Sequence, residues 1–422
     1  MEKGHRRLVS AFARISVLLL LIVWMVGCGG KTSNSSNNNN SGSSGTGTPT
    51  AGSSNPGSGG GGTGGGSTSS ANYVYLADAT EGGGAFGFKL DSSGTLTPVA
   101  GSPFKVSGST DASYGPVAVA NGFVYVATFA SAGGPGQLFT FQIDPNTGAL
   151  TQKGSGVAIT GTSFTAVGSL RTSVDKSTIY ALTQQTITAI ATNNGSPTEL
   201  NMQTVTDGSI FGFAAGNGVA YVGIQDGNPK TGFKTPVIKR ITLGANGSLQ
   251  DAGTVVATLT TANIPNSLAL DPTGKYVAAT TGMNSLQVAM YSVGSNGTLS
   301  EVQGSPFNSS NLVGFNLKFD PSGKFLYEVA NNEADPNDET LVVFSVGSNG
   351  ALTQVQTLPN GNHEHAIGLL VTSGYVLVSN LAAAGQGGIV TVFSRDASSG
   401  KLTLTGTQTV NRSTGEVGTT AQ

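Results

Sequence analysis

From Tyr73 onward the chain repeats two apolar patterns in turn. One is a short, nearly continuous apolar run: YVYLAD, FVYVAT, TIYALT, VAYVGI, YVAATT, FLYEVA and YVLVSN. The other alternates at every second residue: FGFKLD, FTFQID, ITAIAT, VIKRITL, VAMYSV, LVVFSV and VTVFSR. Period-two alternation rich in β-branched and aromatic residues predicts strands. A turn glycine followed shortly by leucine closes each alternating segment, from SSGTL to SSGKL. These leucines (Leu96, Leu150, Leu200, Leu249, Leu299, Leu352 and Leu402) lie 49 to 54 residues apart. A further strand precedes each continuous run and ends in a tight turn, as in Asp271-Pro272-Thr273-Gly274 and Asp320-Pro321-Ser322-Gly323. Proline there presets φ, and glycine completes the turn.

Each unit of about fifty residues therefore holds four short antiparallel strands, and the units must stack to bury both faces. The expected fold is all-β, a seven-bladed β-propeller with four antiparallel strands per blade. The chain enters at a second strand (Tyr73–Ala77), and the tail around 414–420 supplies the missing first strand. Pairing of the two ends of the domain closes the ring and removes its free edges.

Composition changes the picture mainly at the N-terminus. Lys3, Arg6, Arg7 and Arg14 precede an apolar run, Ile15–Val26, too short for a bilayer core that needs about 20 residues. The run ends at Gly27-Cys28, and Cys28 is the only cysteine. This segment resembles a bacterial lipoprotein signal (residues 1–27), with Cys28 lipidated and anchoring the protein in a membrane. Gly29 is not the aspartate that resembles an inner-membrane retention signal in enteric lipoproteins. The expected address is the outer membrane or cell surface. Residues 28–72 form a Gly/Ser/Asn/Thr-rich segment too polar to fold alone, read as a flexible tether. The propeller then occupies 73–422. It carries 15 Lys and Arg against 21 Asp and Glu. With no basic stripe, nucleic acid is not an expected partner, and the chain is read as a monomer. The lone cysteine excludes an intrachain disulfide and a cysteine metal cluster.

The stretches FQIDPNTGALT, LTPVAGSPF and LSEVQGSPF, with the Asp-Pro turns, resemble the seven-bladed lactonase family of 6-phosphogluconolactonase type. The Tyr-Val runs resemble the related YVTN-repeat propellers. No tryptophan follows Trp24, so the Trp-Asp repeat signature is absent. The resemblance implies a cofactor-free lactone hydrolase whose His, Arg and Glu residues cluster on one face. In that family several inner strands open with Pro-Arg-His, four residues before the Asp-Pro turn. Here those stretches read Pro265-Asn266-Ser267 and Val313-Gly314-Phe315-Asn316. Counting back from Asp175 sets Arg171 where the family has histidine, and the family glutamate is displaced to Glu333.

The second-to-third and outer-to-inner connections hold the long loops, including 331–339 and 359–365, and they share one face. Loops on a rigid scaffold are where function concentrates. The candidate catalytic set is Arg171, His365 and Glu333. Arg171 would supply an oxyanion contact, and the others acid–base work. Candidate binding residues are His363, Asp335 and Asp338. His363 and His365, two apart, would share a side of an extended chain. Neither zinc nor calcium is expected. A zinc site would need a third ligand from another blade, and the acidic stretch around Glu333 lacks the calcium-loop glycine. Two functions follow: a binding module for an envelope protein, glycan or small ligand, or a hydrolase of a small-molecule lactone.

Overall fold

The computed structural model describes residues 72–78, 83–108, 116–128, 135–162, 167–225, 235–259, 265–281, 287–309, 313–332, 335–361, 366–380, 388–410 and 413–420. All belong to one unit, Ser70–Gln422. Among them there is no α-helix, only a single 3-10 turn at Asn193–Gly195. Cys28, the leader and the tether lie outside the described residues.

The strands form seven antiparallel sheets. From inside outward, blade 2 reads Val117–Ala120, Phe123–Thr128, Gln137–Ile143 and Leu150–Gln152. Blades 3 to 7 begin at inner strands Ser169–Thr172, Ser209–Gly216, Leu268–Leu270, Val313–Phe319 and Ala366–Val371. The inner strand of blade 1 is the C-terminal strand, Ser413–Thr419, paired with Asn72–Asp78 through Val74↔Thr419 and Leu76↔Val417. The seven inner strands touch in ring order, blade 7 against blade 1 included. The ring is thus a closed seven-bladed propeller fastened by the two ends of the domain.

The two apolar patterns separate by position in the blade. A second strand is covered on both sides, so it reads as a continuous apolar run. In blade 1, Tyr73, Tyr75 and Ala77 pack against blade 2, while Val74 and Leu76 pack against blade 7. Seven hydrophobic clusters result, one for each pair of neighbouring blades. In blades 1, 2 and 5 the outer strand is interrupted, and a second short piece resumes pairing with the third strand. The two GSPF motifs lead into such pieces, Phe104–Lys105 and Phe307–Asn308, and both Ser-Pro bonds are cis.

A circuit of tyrosine hydroxyls stitches the blades together on the tight-turn face. Tyr75 donates to the Gly148 carbonyl of blade 2 at 2.8 Å, and Tyr125 to Thr192 of blade 3 at 3.3 Å. Tyr180 and Tyr221 continue to Gly247 and Gly297, both at 3.0 Å. Tyr276 reaches Ser348 and Tyr327 reaches Gly400, both at 2.8 Å. Tyr375 returns to Asp91 of blade 1 at 3.1 Å, so every seam, including the last, carries at least one such bond, and the first carries a second from Tyr73 to Asn146 O at 2.6 Å. This accounts for the recurrence of tyrosine in the second strands. It also accounts for the turn glycines. Gly148 (φ 73°) and Gly400 (φ 72°) are in the left-handed region, and a Cβ on either would run into the Tyr73 or Phe325 ring of the preceding blade.

Three sequence expectations change. The stretch 331–339 is not a long loop. The second strand of blade 6 runs Phe325–Asn332 and the third runs Asp335–Val346, pairing Asn331 with Glu339. Asp335 and Asp338 therefore belong to a strand: the ladder continues through polar residues whose composition resembles a loop. Likewise the outer strand of blade 6 extends to Gly361, shortening the connection placed at 359–365. In blade 3 the leucine of the repeat is displaced. Thr198, not Leu200, pairs with the end of the third strand at Ala191, because the Asn193–Gly195 turn differs from the other six.

Candidate functional site in the central channel

The inner strands surround a cavity of about 250 Å³, lined from blades 1, 2, 3, 6 and 7. Sheet register aligns these strands. The residue opposite the third position of each continuous apolar run (Tyr75 in YVYLAD, Tyr125 in FVYVAT and so on) is Gly418, Ala118, Arg171, Ala214, Ala269, Lys318 and Leu370, in blade order. Five are small or apolar. Arg171 and Lys318 stand out, and both line the cavity. They sit in blades 3 and 6, as far apart around a seven-membered ring as two blades can be. Burial pulls the Arg171 guanidinium down to about 10. Burial, and then the charge of Arg171, pulls the Lys318 ammonium down to about 7. Lys176, in the turn after the inner strand of blade 3, reaches the same cavity, as does Asn316.

This level lies toward the tight-turn end of the channel, two residues before the turns at Asp320 and Ser173. The register also corrects the alignment of blade 3. Ser173 N–H donates to Thr178 O at 2.9 Å, as Asp271 does to Tyr276 at 3.0 Å and Asp320 to Phe325 at 2.9 Å. Ser173, not Asp175, is therefore the counterpart of those aspartates. Arg171 corresponds to Lys318 and Ala269, and Ser169 takes the position that counting from Asp175 assigns to Arg171.

The positions four residues before the Asp-Pro turns are Ser267 and Asn316. Ser267 is buried and spans two blades. Its N–H donates to Thr280 Oγ1 at 3.0 Å, and its Oγ accepts from the Leu317 N–H at 3.1 Å. His363, His365 and Glu333 lie outside the described residues. Asp335 and Asp338 are placed by their backbone on the third strand of blade 6. Among the described residues no group of histidine, cysteine and carboxylate side chains is arranged to hold a metal ion.

Two buried carboxyls were not anticipated from sequence. Glu339 accepts from Asn360 Nδ2 at 2.9 Å, and also from Asn380 Nδ2 and the Ala366 N–H, clasping blade 6 to blade 7. Burial raises it to about 7. Glu328 accepts from Ser309 Oγ at the seam of blades 5 and 6, and burial raises it to about 7 as well. The repeat does hold a signal for Glu328. The other second strands carry Leu76, Val126, Ala181, Val222, Ala279 and Val378 at that position. The same comparison marks Lys318 and Arg171.

Residues 287–417 match the family model described as lactonase, 7-bladed β-propeller. The match runs from the third strand of blade 5 into the strand that closes blade 1. No curated protein matches the sequence significantly. Among solved structures, a candidate 6-phosphogluconolactonase of Bacteroides fragilis is 17% identical, with a TM-score of 0.57 over 84% of this chain and 99% of that one. A second candidate, from Bacteroides uniformis, is 15% identical, with a TM-score of 0.61 over 82% and 98%. The periplasmic gluconolactonase of Pseudomonas aeruginosa is 16% identical, with a TM-score of 0.56 over 81% and 97%. At such identities these lactonase-like propellers show the shared fold.

Proposed function

We propose that this lactonase-like propeller is exported, tethered to the cell envelope through lipidated Cys28, and works as a binding module rather than a hydrolase. The observation that carries this reading is Ser267. At the position where the resemblance calls for histidine stands a buried serine whose Oγ accepts the Leu317 N–H of the next blade. The equivalent residue in blade 6 is Asn316. Neither side chain exchanges a proton near neutral pH, so the two positions where the resemblance calls for histidine supply no general acid or base. The bound partner is an envelope protein, a glycan or a small ligand taken on the long-loop face. Export is supported by the leader and by the periplasmic location in the description of the Pseudomonas relative.

The hydrolase reading has one observation in its favour. Glu339 lies on the long-loop side, and its raised pKa suits a base at neutral pH. Its oxygens, however, already accept three hydrogen bonds that hold two blades together. The test uses the full-length protein purified from membranes, assayed against gluconolactone and 6-phosphogluconolactone with spontaneous opening subtracted. No acceleration is expected. Turnover above background that disappears in Glu339→Gln, Arg171→Ala or His365→Ala would establish the hydrolase instead. Fractionation of Cys28→Ser tests the anchor, since the variant should leave the membrane pellet.

A further inference from the structure

We infer that Lys318 is a covalent capture site for small aldehydes, its amine condensing with the carbonyl group inside the central channel. This site is separate from the long-loop face and does not depend on whether that face binds or hydrolyses. The placement of the side chain carries the inference. Lys318 lies on the inner strand of blade 6, between Leu317 and Phe319, which turn into the seam with blade 5. Lys318 lines the cavity instead, together with Gly368, Leu369 and Leu370 of blade 7. The equivalent positions in five other blades are Gly, Ala or Leu, so the ring does not need a lysine there to fold. The cavity holds about 250 Å³, room for roughly eight waters at ~30 Å³ each.

The amine is also unengaged. Among the described residues none accepts a hydrogen bond from it, and no carboxylate forms an ion pair with it. Lys105 and Lys239, by contrast, pair with Asp78 and Asp207 at 2.6 and 2.7 Å. Burial therefore falls on a bare amine. Burial is the larger cause that pulls Lys318 down to about 7, and the positive charge of Arg171 adds to it. Arg171 is engaged in contacts of its own and takes no part in the chemistry. At pH 7 about half of the Lys318 amines are neutral, against roughly one in three thousand for an ordinary lysine. Desolvation in this way makes a lysine nucleophilic at neutral pH. The nitrogen lone pair adds to the carbonyl carbon, and a proton moves from nitrogen to the carbonyl oxygen. The carbinolamine then loses that oxygen as water, leaving a C=N bond between Lys318 and the aldehyde carbon. No oxidant or reductant takes part, and water reverses the step. An aldehyde suits the site because it enters uncharged and its carbonyl carbon carries only one carbon substituent. Val117, Leu369 and Leu370 give that substituent an apolar wall, and the volume admits only a few carbons.

The test is trapping with propanal at pH 7 in the presence of cyanoborohydride, which reduces the imine to a stable secondary amine. The full-length protein is digested at intervals, and the modified lysines are identified by mass. Lys318 is expected to react at least tenfold faster than Lys324, exposed in the turn six residues on. The preference should vanish in urea. It should reverse with an aldehyde-bearing dextran, which is too large to enter the channel. Lys318→Arg should lose the fast phase of uptake while circular dichroism shows an intact ring. The inference is overturned if Lys318 reacts no faster than Lys324, if its preference survives unfolding, if the dextran reaches it as readily as propanal does, or if Lys318→Arg keeps the fast phase.

Discussion

Two interior arginines of this ring have opposite surroundings. Arg395 ends the third strand of blade 7 and is 8% exposed. Its Nε donates to the Tyr327 hydroxyl at 2.8 Å and its Nη1 to Ser373 O at 2.6 Å, while Nη2 pairs with Asp320. The guanidinium also lies over the Phe325 and Tyr327 rings, 5.7 and 5.9 Å from their centroids. Arg171 instead lines a channel with Lys318 on the facing wall. The first cation is held by three protein acceptors and serves as a fastener. The second lines a cavity with another cation on the facing wall. In a repeat fold, a charge that departs from the consensus position is therefore not diagnostic alone. What the side chain faces, a carboxylate at a seam or open space in the channel, separates the two cases.

The largest expected effect breaks the fastener. Arg395→Met leaves Asp320 without its cation in a buried setting, a change that typically costs ~3–5 kcal/mol. Asp320 keeps three donors, the Ser322 N–H and Oγ and the Phe325 N–H, so the loss should lie near the lower end. Denaturation midpoints of wild type, Arg395→Met, Asp320→Asn and the double variant give the coupling directly. A coupling near zero would mean that Arg395 is no more of a fastener than Arg171.

Lys318→Met should act in the opposite direction. It removes one of two like charges and so should raise stability at pH 7. The sign of the pH dependence follows from the proton count. Lys318 has a folded pKa of about 7 against an ordinary 10.5, so the unfolded chain binds more protons between those values. Stability of the wild type therefore rises with pH across that window, and Lys318→Met flattens the rise. Other shifted groups fall mostly outside it. Glu328 and Glu339, raised to about 7, give stability that is lost as pH climbs from about 4.5 to 7. The buried tyrosines, pushed up to about 12 or beyond, act above 10. Thermal midpoints at pH 7 and 9.5 measure the slope. A destabilised Lys318→Met would show that the ammonium is paired in the folded state.

How much of this could be read beforehand depended on repetition. The fold was legible because each blade repeats the same burial problem, and the tyrosine and glycine of the repeat are two halves of one inter-blade contact. Register failed where a repeat lost its marker. Gly274 and Gly323 take positive φ in their turns (73° and 69°), and the equivalent residue in blade 3 is Lys176 at φ 59°. Its N–H closes the turn onto Ser173 O at 3.0 Å, as Gly274 does onto Asp271 at 2.9 Å. Without the glycine, Asp175 stands in for the turn aspartate in the sequence, and counting back from it puts Arg171 two residues out of register. The site failed for a different reason. Lys318 stood in plain view within LKFDPSGK, but a lone lysine in a strand has no meaning until the sheets show what faces it across the axis. Glu333, His363 and His365 lie outside the described residues, and sequence remains the argument for them.

The smallest effects test whether the tyrosine circuit shares load evenly. Tyr327 is fully buried. Its hydroxyl donates to Gly400 O and accepts from Arg395, so Tyr327→Phe removes a hydrogen bond at the seam and one partner of the fastener. A net loss of about 1–2 kcal/mol is expected, since a charged group loses a partner as well as a neutral one. Tyr375 makes the corresponding bond to Asp91 O in an exposed setting, where water replaces the lost hydroxyl. Tyr375→Phe should therefore cost about half a kcal/mol or less, although it lies at the seam where the chain closes on itself. Closure there rests mainly on the ladder between Asn72–Asp78 and Ser413–Thr419 and on the cluster of Val74, Leu76, Leu377 and Val417. Thermal midpoints of the two variants decide the order. If Tyr375→Phe proved the more damaging, the closing seam would depend on its hydroxyl more than on its strands, and the circuit would be a lock with one critical bond.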